Sequence, residues 1–328
     1  MNIFNCSITG HYKRQKGLAC EDAVYTRQYE DYSFMACADG HGDPKCRYAR
    51  RGAELAVRIG ATIVKEVRAA SDDLTDFGRR LNNDREALFS RFICAFVEAV
   101  LQDYAANHPE DTAFLAAYPE LFAYAGEIYQ VRDGLLPIKE LRELAEKRHR
   151  CEEAIYKITL LYGTTCNAAV VTPKFVFAFG IGDGDVIAVN GKRVEWLLPS
   201  SDQFSSTTHS LCGSFGSMME HFHAVLVPIC KGSRLSESRF MPEFVMIATD
   251  GLRNGFISDA IFAEKMLHIA EELKSGHGYL FVKNSEKWIE ERATFGVTQD
   301  DISFCFCTGH PLKKPPVKKT GAKQKKNA

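Results

Sequence analysis

The order of the predicted strands and helices constrains the fold of this 328-residue chain more than any other feature. Strands are predicted over 23–29 and 32–38, a long helical stretch follows, and strands return from about residue 165. This order does not fit a regular β-α-β repeat, which would build a parallel sheet. The pattern therefore predicts an α+β protein, in which the helices are grouped in sequence around a sheet-rich domain.

The predicted helices fall into four stretches. Small and apolar residues recur from Ala49 to Val67 at alternating spacings of four and three, which is the pattern of one helical stripe. The chain also has a helical pattern from about 84 to 159, and because prolines interrupt it, at least three helices are expected there. Two further helices are predicted over 258–273 and 285–292.

The predicted strands of the second half include one hairpin. Asn190 and Gly191 stand between strands predicted over 186–189 and 193–198, and this dipeptide is the strongest short hairpin signal. Further strands are predicted over 165–171, 175–179, 244–248 and 302–307.

Composition gives no support for a nucleic-acid-binding, zinc-finger, secreted or membrane-spanning protein. With 41 basic and 42 acidic residues, nothing in the total charge favours nucleic acid or an anionic membrane. The eleven cysteines show no zinc-finger spacing, and neither a signal peptide nor an apolar stretch of about 20 residues is visible. We expect a cytoplasmic, reduced, soluble monomer with a domain over 1–310, a helical elaboration over about 84–159, and a Lys-rich, disordered tail over 311–328.

Aspartates stand at the ends of several predicted strands, mostly beside glycine. They occur in ADGHGD, GIGDGD, ATDGL and TQDDISF, and the residues are Asp39, Asp183, Asp185, Asp250, Asp300 and Asp301. Carboxylates that converge in this way repel one another unless cations lie between them. Mg²⁺ and Mn²⁺ prefer carboxylate, carbonyl and water oxygens, so a divalent metal site is predicted.

The ordered set of motifs resembles the PP2C-type metal-dependent Ser/Thr protein phosphatases, in particular their bacterial branch. The motifs are CEDA, ADGHGD, GTTCNAAVV, GIGDGD, ATDGL and TQDDISF. The resemblance implies an α-β-β-α four-layer sandwich of two antiparallel sheets with flanking helices. It also implies hydrolysis of phosphoserine or phosphothreonine in a phosphorylated protein, and hence a role in signalling by dephosphorylation.

The resemblance also implies the roles of individual residues. Asp39 would bridge two Mg²⁺ or Mn²⁺ ions, and the carbonyl of Gly40 would bind one of them. Asp250 and Asp300 would bind the other ion, while Glu21 and Asp22 would hold water on the metals. Asp183 would serve a third, weaker ion.

A water activated by two metals needs no covalent phosphoenzyme, but the leaving alkoxide needs a proton. His41, between two glycines beside Asp39, is the candidate general acid. A histidine that only shapes the loop is the competing interpretation of His41.

The sequence departs from the family pattern at three positions. Gly17 stands where many members have an arginine that grips phosphate, and Arg14 or Lys16 could replace it; a solvated basic loop is an equal alternative. Asn254 and Asp301 stand where some relatives have an acidic residue and an asparagine, respectively. An inactive PP2C-like protein that binds phosphoproteins is the alternative function, although the retained aspartates argue against it.

Overall fold

The structure is a computed structural model, and it describes residues 2–108, 151–199, 208–229, 242–274 and 278–308. The predicted tail over 311–328 and most of the predicted middle elaboration, from 109 to 150, lie outside these residues. The predicted end of the domain at residue 310 therefore stays a prediction.

The strands of the described residues form two antiparallel sheets. The strands are β1 (Asn2–Ile8), β2 (Ala23–Gln28), β3 (Ser33–Ala38), β4 (Cys166–Val171), β5 (Phe175–Ile181), β6 (Asp185–Asn190), β7 (Arg193–Trp196), β8 (His223–Pro228), β9 (Phe244–Ala248) and β10 (Ile302–Thr308). The first sheet has the order β1-β10-β9-β6-β7, and the second sheet has the order β2-β3-β4-β5-β8.

Helices cover the outer face of each sheet. They are α1 (His11–Gln15), α2 (Ala49–Ala69), α3 (Leu74–Asn83), α4 (Arg85–Asn107), α5 (151–161), α6 (Phe215–Glu220), α7 (Asp250–Asn254), α8 (Asp259–Lys274) and α9 (Gly278–Phe295). Helices α2 and α3 pack on the second sheet and α4 packs on them, whereas α8 and α9 pack on the first sheet. The result is the predicted α-β-β-α order of four layers.

Three apolar cores hold the layers together. One lies between α2–α4 and the second sheet and contains Phe34, Phe96 and Phe177. The central core lies between the two sheets and consists of smaller side chains, including Met35 and Ile247. The third core lies between the first sheet and helices α8 and α9. Burial on both faces explains why every residue of β3, β4, β5, β9 and β10 is buried.

The predicted fold class and most predicted elements are confirmed. The predicted helix from residue 49 is α2, and the predicted hairpin turns at Gly191, whose φ of +65° suits glycine. The strands β1 and β8 were not predicted, since their half-buried residues do not form a clear alternating pattern. Helix α9 begins at Gly278 rather than at the predicted residue 285.

Close packing of α2 on the chain after α5 generates a first prediction. A Cβ at Gly52 would lie 2.0 Å from the carbonyl oxygen of Tyr162, whereas nothing lies within 4 Å of a Cβ at Gly216. Both glycines are helical, so alanine improves helix propensity equally at the two positions. We expect Gly52→Ala to lower the free energy of unfolding by about 1–3 kcal/mol because of overpacking. Gly216→Ala should leave it unchanged or raise it, and urea denaturation measures both.

Equal effects of the two substitutions would contradict this account of α2 packing.

Candidate metal centre

Four aspartates from both sheets meet at one edge of the sandwich. Asp39 follows β3, and Asp22 directly precedes β2, its neighbour in the second sheet. Asp250 follows β9, and Asp300 stands two residues before β10, which is the neighbour of β9 in the first sheet. Because the two sheets stack face to face, these strand ends bring the four side chains together.

The backbone around Asp39 is held by the segment that precedes β4. The amide of Asp39 donates to the Thr165 hydroxyl at 3.0 Å, and the Thr164 hydroxyl donates to the carbonyl of Asp39 at 2.9 Å. Gly40 is buried against the chain on either side, since a Cβ there would lie 2.6 Å from the carbonyl oxygen of Glu21. The two threonines and the glycine therefore fix where Asp39 points.

The electrostatics of Asp39 and Asp22 show that the carboxylates converge. Burial, followed by the charges of Asp22, Asp250 and Asp300, raises the pKa of Asp39 well above its usual value. Burial and the charge of Asp301 raise the pKa of Asp22 to about 7, although a hydrogen bond from the Thr249 hydroxyl at 2.8 Å opposes the shift. Each group is thus harder to ionise because its neighbours are also carboxylates.

Asp250 and Asp300 belong to the same cluster. Burial and the charge of Asp183 raise the pKa of Asp250 to about 6. Asp300 is exposed as a whole residue, yet the protein around its carboxylate raises its pKa. The Asp301 amide, which donates to Asp300 at 2.8 Å, and the charge of Lys13 oppose that rise.

The donors of this cluster fit hard divalent cations. Its side chains offer carboxylate oxygens, and Mg²⁺ and Mn²⁺ prefer oxygen ligands. One oxygen of Asp22, Oδ1, is buried and has no hydrogen-bond partner among the described residues. A cation or its water ligands would satisfy that oxygen and would offset the repulsion that raises the pKa values.

Cys20, Asp22 and Asp301 also lie close enough to share an ion, with one ligand atom of each within 4.8 Å of the others. The hydrogen bonds of Asp301 argue against that use. Both oxygens of Asp301 already accept hydrogen bonds, from the amides of Gly10 and Glu21 and from the Lys13 ammonium. Asp301 therefore links the segment before β10 to the segment between β1 and β2.

Asp183 lies beside this cluster in a glycine-rich loop. Gly182 has a φ of +120°, a backbone conformation that favours glycine. The hydroxyl of Thr208 donates to Oδ2 of Asp183, and the charge of Asp183 acts on both Asp250 and His41. Its predicted service to a third ion stays a prediction.

His41 lies next to the carboxylates, as the motif predicts. Its amide donates to the carbonyl of Gly163 at 3.0 Å, and its ring lies against Gly163. Burial lowers the pKa of His41, whereas the charges of Asp183, Asp43 and Glu21 raise it. Its predicted role as the general acid stays a prediction.

The structure places Arg14 and Lys16 away from the cluster. Arg14 donates to Glu290 at 3.2 Å and to the hydroxyl of Thr294 at 2.6 Å, both on α9. Lys16 lies over the ring of Tyr12, 4.0 Å from its centroid. Phosphate binding by Arg14 or Lys16 stays a prediction.

Lys13, which was not predicted as a site residue, is a cation that contacts the acidic edge. Its ammonium lies 2.7 Å from both Glu21 Oε2 and Asp301 Oδ2. The signal for it was Asp301 itself, because a carboxylate that is buried requires a counter-ion.

The contacts of Arg253 and Asn254 were not predicted. Arg253 is buried, and its guanidinium donates to Asp259 at 2.7 Å and to Asp185 at 3.4 Å. Asn254 donates from Nδ2 to Asp250 Oδ2 at 2.9 Å. Both residues lie on α7, so they fix the helix that begins with Asp250. Asp185 takes part in this ion pair, in line with a structural role for its carboxylate.

Comparisons with known proteins agree with the geometry. A model of the family described as Protein phosphatase 2C matches residues 9–284. A comparison with curated proteins found no match. In the described part of the chain, every helix is too short or too polar to cross a membrane.

Solved structures of phosphatases are similar to this chain at low sequence identity. A bacterial serine phosphatase, in a single-mutant form, is 12% identical with a TM-score of 0.50, over 96% of this chain and 100% of that chain. Stp1 from Staphylococcus aureus is 11% identical with a TM-score of 0.47, over 95% of this chain and 96% of that chain. The catalytic domain of PstP, in complex with 2 manganese ions, is 13% identical with a TM-score of 0.46, over 93% and 96%.

The Lys13–Asp301 pair generates a second prediction. The Asp301 side chain is only 2% exposed, and that of Lys13 is 16% exposed. Lys13→Met leaves a buried carboxylate without its cation, so we expect a loss of about 2–4 kcal/mol in the free energy of unfolding. The double variant Lys13→Met/Asp301→Asn should recover more than half of that loss, as measured by urea denaturation.

Arg14→Met is the matched control, because its partner Glu290 is 55% exposed and such pairs contribute about 0–1 kcal/mol. A double variant as unstable as Lys13→Met would show that charge balance is not what Lys13 provides.

Proposed function

Because the chain belongs to the protein phosphatase 2C family, we propose that it hydrolyses phosphoserine or phosphothreonine in proteins with the help of bound divalent cations. The convergence of Asp22, Asp39, Asp250 and Asp300, with the pKa values of all four raised, is the observation that carries the proposal. Bound cations would offset the repulsion among these carboxylates and would attract an anionic substrate.

In this proposal, two Mg²⁺ or Mn²⁺ ions occupy the cluster. Asp39, the Gly40 carbonyl, Asp250 and Asp300 would hold them. Asp22, whose Oδ1 has no partner among the described residues, holds water on the metals together with Glu21. Asp183 contributes to a third, weaker ion.

The bound cations supply the chemistry that makes water a nucleophile near neutral pH and neutralises the phosphate charge. The protein positions the reactants: Thr164 and Thr165 hold Asp39, and Asn254 holds Asp250. His41 gives a proton to the serine or threonine oxygen as the bond between that oxygen and phosphorus breaks. The carboxylates around His41 support this role, since they oppose the lowering of its pKa by burial.

In this proposal the physiological partner is a phosphorylated protein. The phosphatase itself is a cytoplasmic monomer that acts in signalling. The alternative, an inactive phosphoprotein-binding relative, is not favoured. It would give no reason to keep four mutually repelling aspartates, since each costs folding free energy when no cation is bound.

The metal requirement is the third prediction. Purified full-length protein should hydrolyse p-nitrophenyl phosphate and a phosphothreonine peptide with Mn²⁺ or Mg²⁺, and EDTA should abolish both activities. Phosphate release measures each reaction, and circular dichroism shows that the protein is folded. A folded protein that hydrolyses neither substrate with either metal would refute the proposed function.

The roles of Asp39 and His41 form the fourth prediction. Asp39→Asn should lower kcat by at least about 100-fold on both substrates. Loss of a residue that only hydrogen-bonds to a metal ligand costs about 10–100-fold, and loss of a ligand itself should cost more. His41→Ala should lower kcat by about 100-fold or more on the phosphothreonine peptide, whose alkoxide needs a proton. The same variant should have much less effect on p-nitrophenyl phosphate, whose phenolate leaves without protonation.

Asp72 is exposed in the connection between α2 and α3. Asp72→Asn is therefore the control variant, and it should keep full activity. Equal losses of His41→Ala on the two substrates would remove His41 from the general-acid role.

A further inference from the structure

A groove on the helical layer of the first sheet combines aromatic rings with cations. It lies between α8 and α9 and has a volume of about 430 Å³. Its lining includes Phe256, Ile261, Lys265, Trp288 and Arg292. We refer to it as the α8–α9 groove.

The two cations of this groove rest on aromatic rings. The Lys265 ammonium lies 5.8 Å from the ring centroid of Trp288, and the Arg292 guanidinium carbon lies 5.3 Å from that of Phe256. Within the described ranges, neither cation forms an ion pair with a carboxylate. Cations stacked on rings remain available to an anion.

Arg292 also has a buried donor with no acceptor. Its Nε atom is inaccessible to solvent and has no hydrogen-bond partner in the part of the chain that the structure describes. An unsatisfied buried donor is costly. Glu264 is the carboxylate that lines the groove, and with Lys265 and Arg292 it leaves one net positive charge. The other titratable group, His268, already pairs with Glu272 at 3.2 Å.

Large apolar side chains are exposed on segments that adjoin the lining of the groove in the chain. Ile257 is 78% exposed, Ile261 is 44% exposed, and Phe295 and Val297 are 81% and 55% exposed. The amide of Val297 donates to the carbonyl of Gly255 at 3.4 Å, so the two segments that carry these side chains are adjacent. Exposed apolar residues gathered in this way mark an interaction surface.

The chain connects the groove to the metal centre over short segments. Phe256 and Ile257 follow α7, the five-residue helix that begins at Asp250 and spans about 7.5 Å. From the other side, Val297 stands three residues before Asp300. A chain bound at the carboxylates reaches the groove within a few residues, since an extended segment advances about 3.3 Å per residue.

We propose that the α8–α9 groove docks a segment of the phosphorylated substrate protein in which an aspartate or glutamate adjoins a large apolar residue. This segment lies roughly three to six residues from the phosphorylated residue. The acidic side chain pairs with Lys265 and Arg292, and the apolar side chain packs on Trp288 and Ile261. This inference rests on the proposed function, because it takes the occupant to be the substrate.

Charge disfavours the basic end of the same chain as the occupant. The sequence from residue 311 to residue 328 contains seven lysines and no aspartate or glutamate. Such a segment would be repelled by Lys265 and Arg292, whereas an acidic segment is attracted.

Binding without turnover tests the groove separately from catalysis. The probes are fluorescein-labelled, unphosphorylated 12-residue peptides that contain Glu-Phe, Lys-Phe or Ala-Ala at the same place, added to the full chain in EDTA. Fluorescence anisotropy should show that the Glu-Phe peptide binds at least about fivefold more tightly than the other two. Lys265→Glu should weaken Glu-Phe binding about fivefold and should improve Lys-Phe binding.

Lys287→Glu is the matched control, because Lys287 is exposed on α9 and does not line the groove. It should bind Glu-Phe with the affinity of the unmodified protein. Equal affinity for the three peptides, or equal losses in Lys265→Glu and Lys287→Glu, would overturn the proposal.

Turnover then tests whether the docked segment is part of a substrate. A phosphothreonine peptide with Glu-Phe four residues away should have a kcat/KM about fivefold above that of its Ala-Ala counterpart, and Lys265→Glu should bring the ratio to about one. A ratio of one in the unmodified protein would refute docking of the substrate. If neither phosphopeptide is hydrolysed but Glu-Phe still binds, the proposed function fails and the groove binds another acidic–apolar partner.

Discussion

Repulsion among the carboxylates at the edge between the two sheets is the constraint on which the rest of the structure depends. Asp22, Asp39, Asp250 and Asp300 come from four strand ends, and burial, followed by the charges of neighbouring carboxylates, raises the pKa values of all four. Folding without cations must therefore overcome a cost that apolar burial elsewhere offsets. Three cores, one in each space between adjacent layers, provide that burial.

Side chains around the cluster hold the aspartates in place. The Thr249 hydroxyl binds Asp22, the Thr165 hydroxyl accepts the amide of Asp39, and the Asn254 amide binds Asp250. Uncharged partners of this kind fix orientation without cancelling the charge that a cation needs. Lys13 is the exception, and it neutralises Asp301, whose oxygens are already engaged by backbone amides.

Much of this architecture follows from local sequence. The glycine-flanked aspartates, the Asn190-Gly191 hairpin and the helical stripe from Ala49 each depend on neighbours in the chain, and each was predicted. The roles of Lys13 and Arg253 depend instead on partners 288 and 68 residues away in sequence. Local pattern carries no information about such pairs, and for the same reason it pointed to Arg14 and Lys16, whose contacts in the structure are with α9 and Tyr12.

The place of β10 in the first sheet has a consequence for how the protein is made. β10 lies between β1 and β9, and its Thr308 faces Asn2, so the first and last described strands are paired directly. Such pairing has a very large separation in sequence, which slows folding because a long loop must close before the contacts form. On the ribosome, β1 must wait until β10 has emerged. The carboxylate cluster, which needs Asp300, is therefore assembled only after every other described strand has been synthesised.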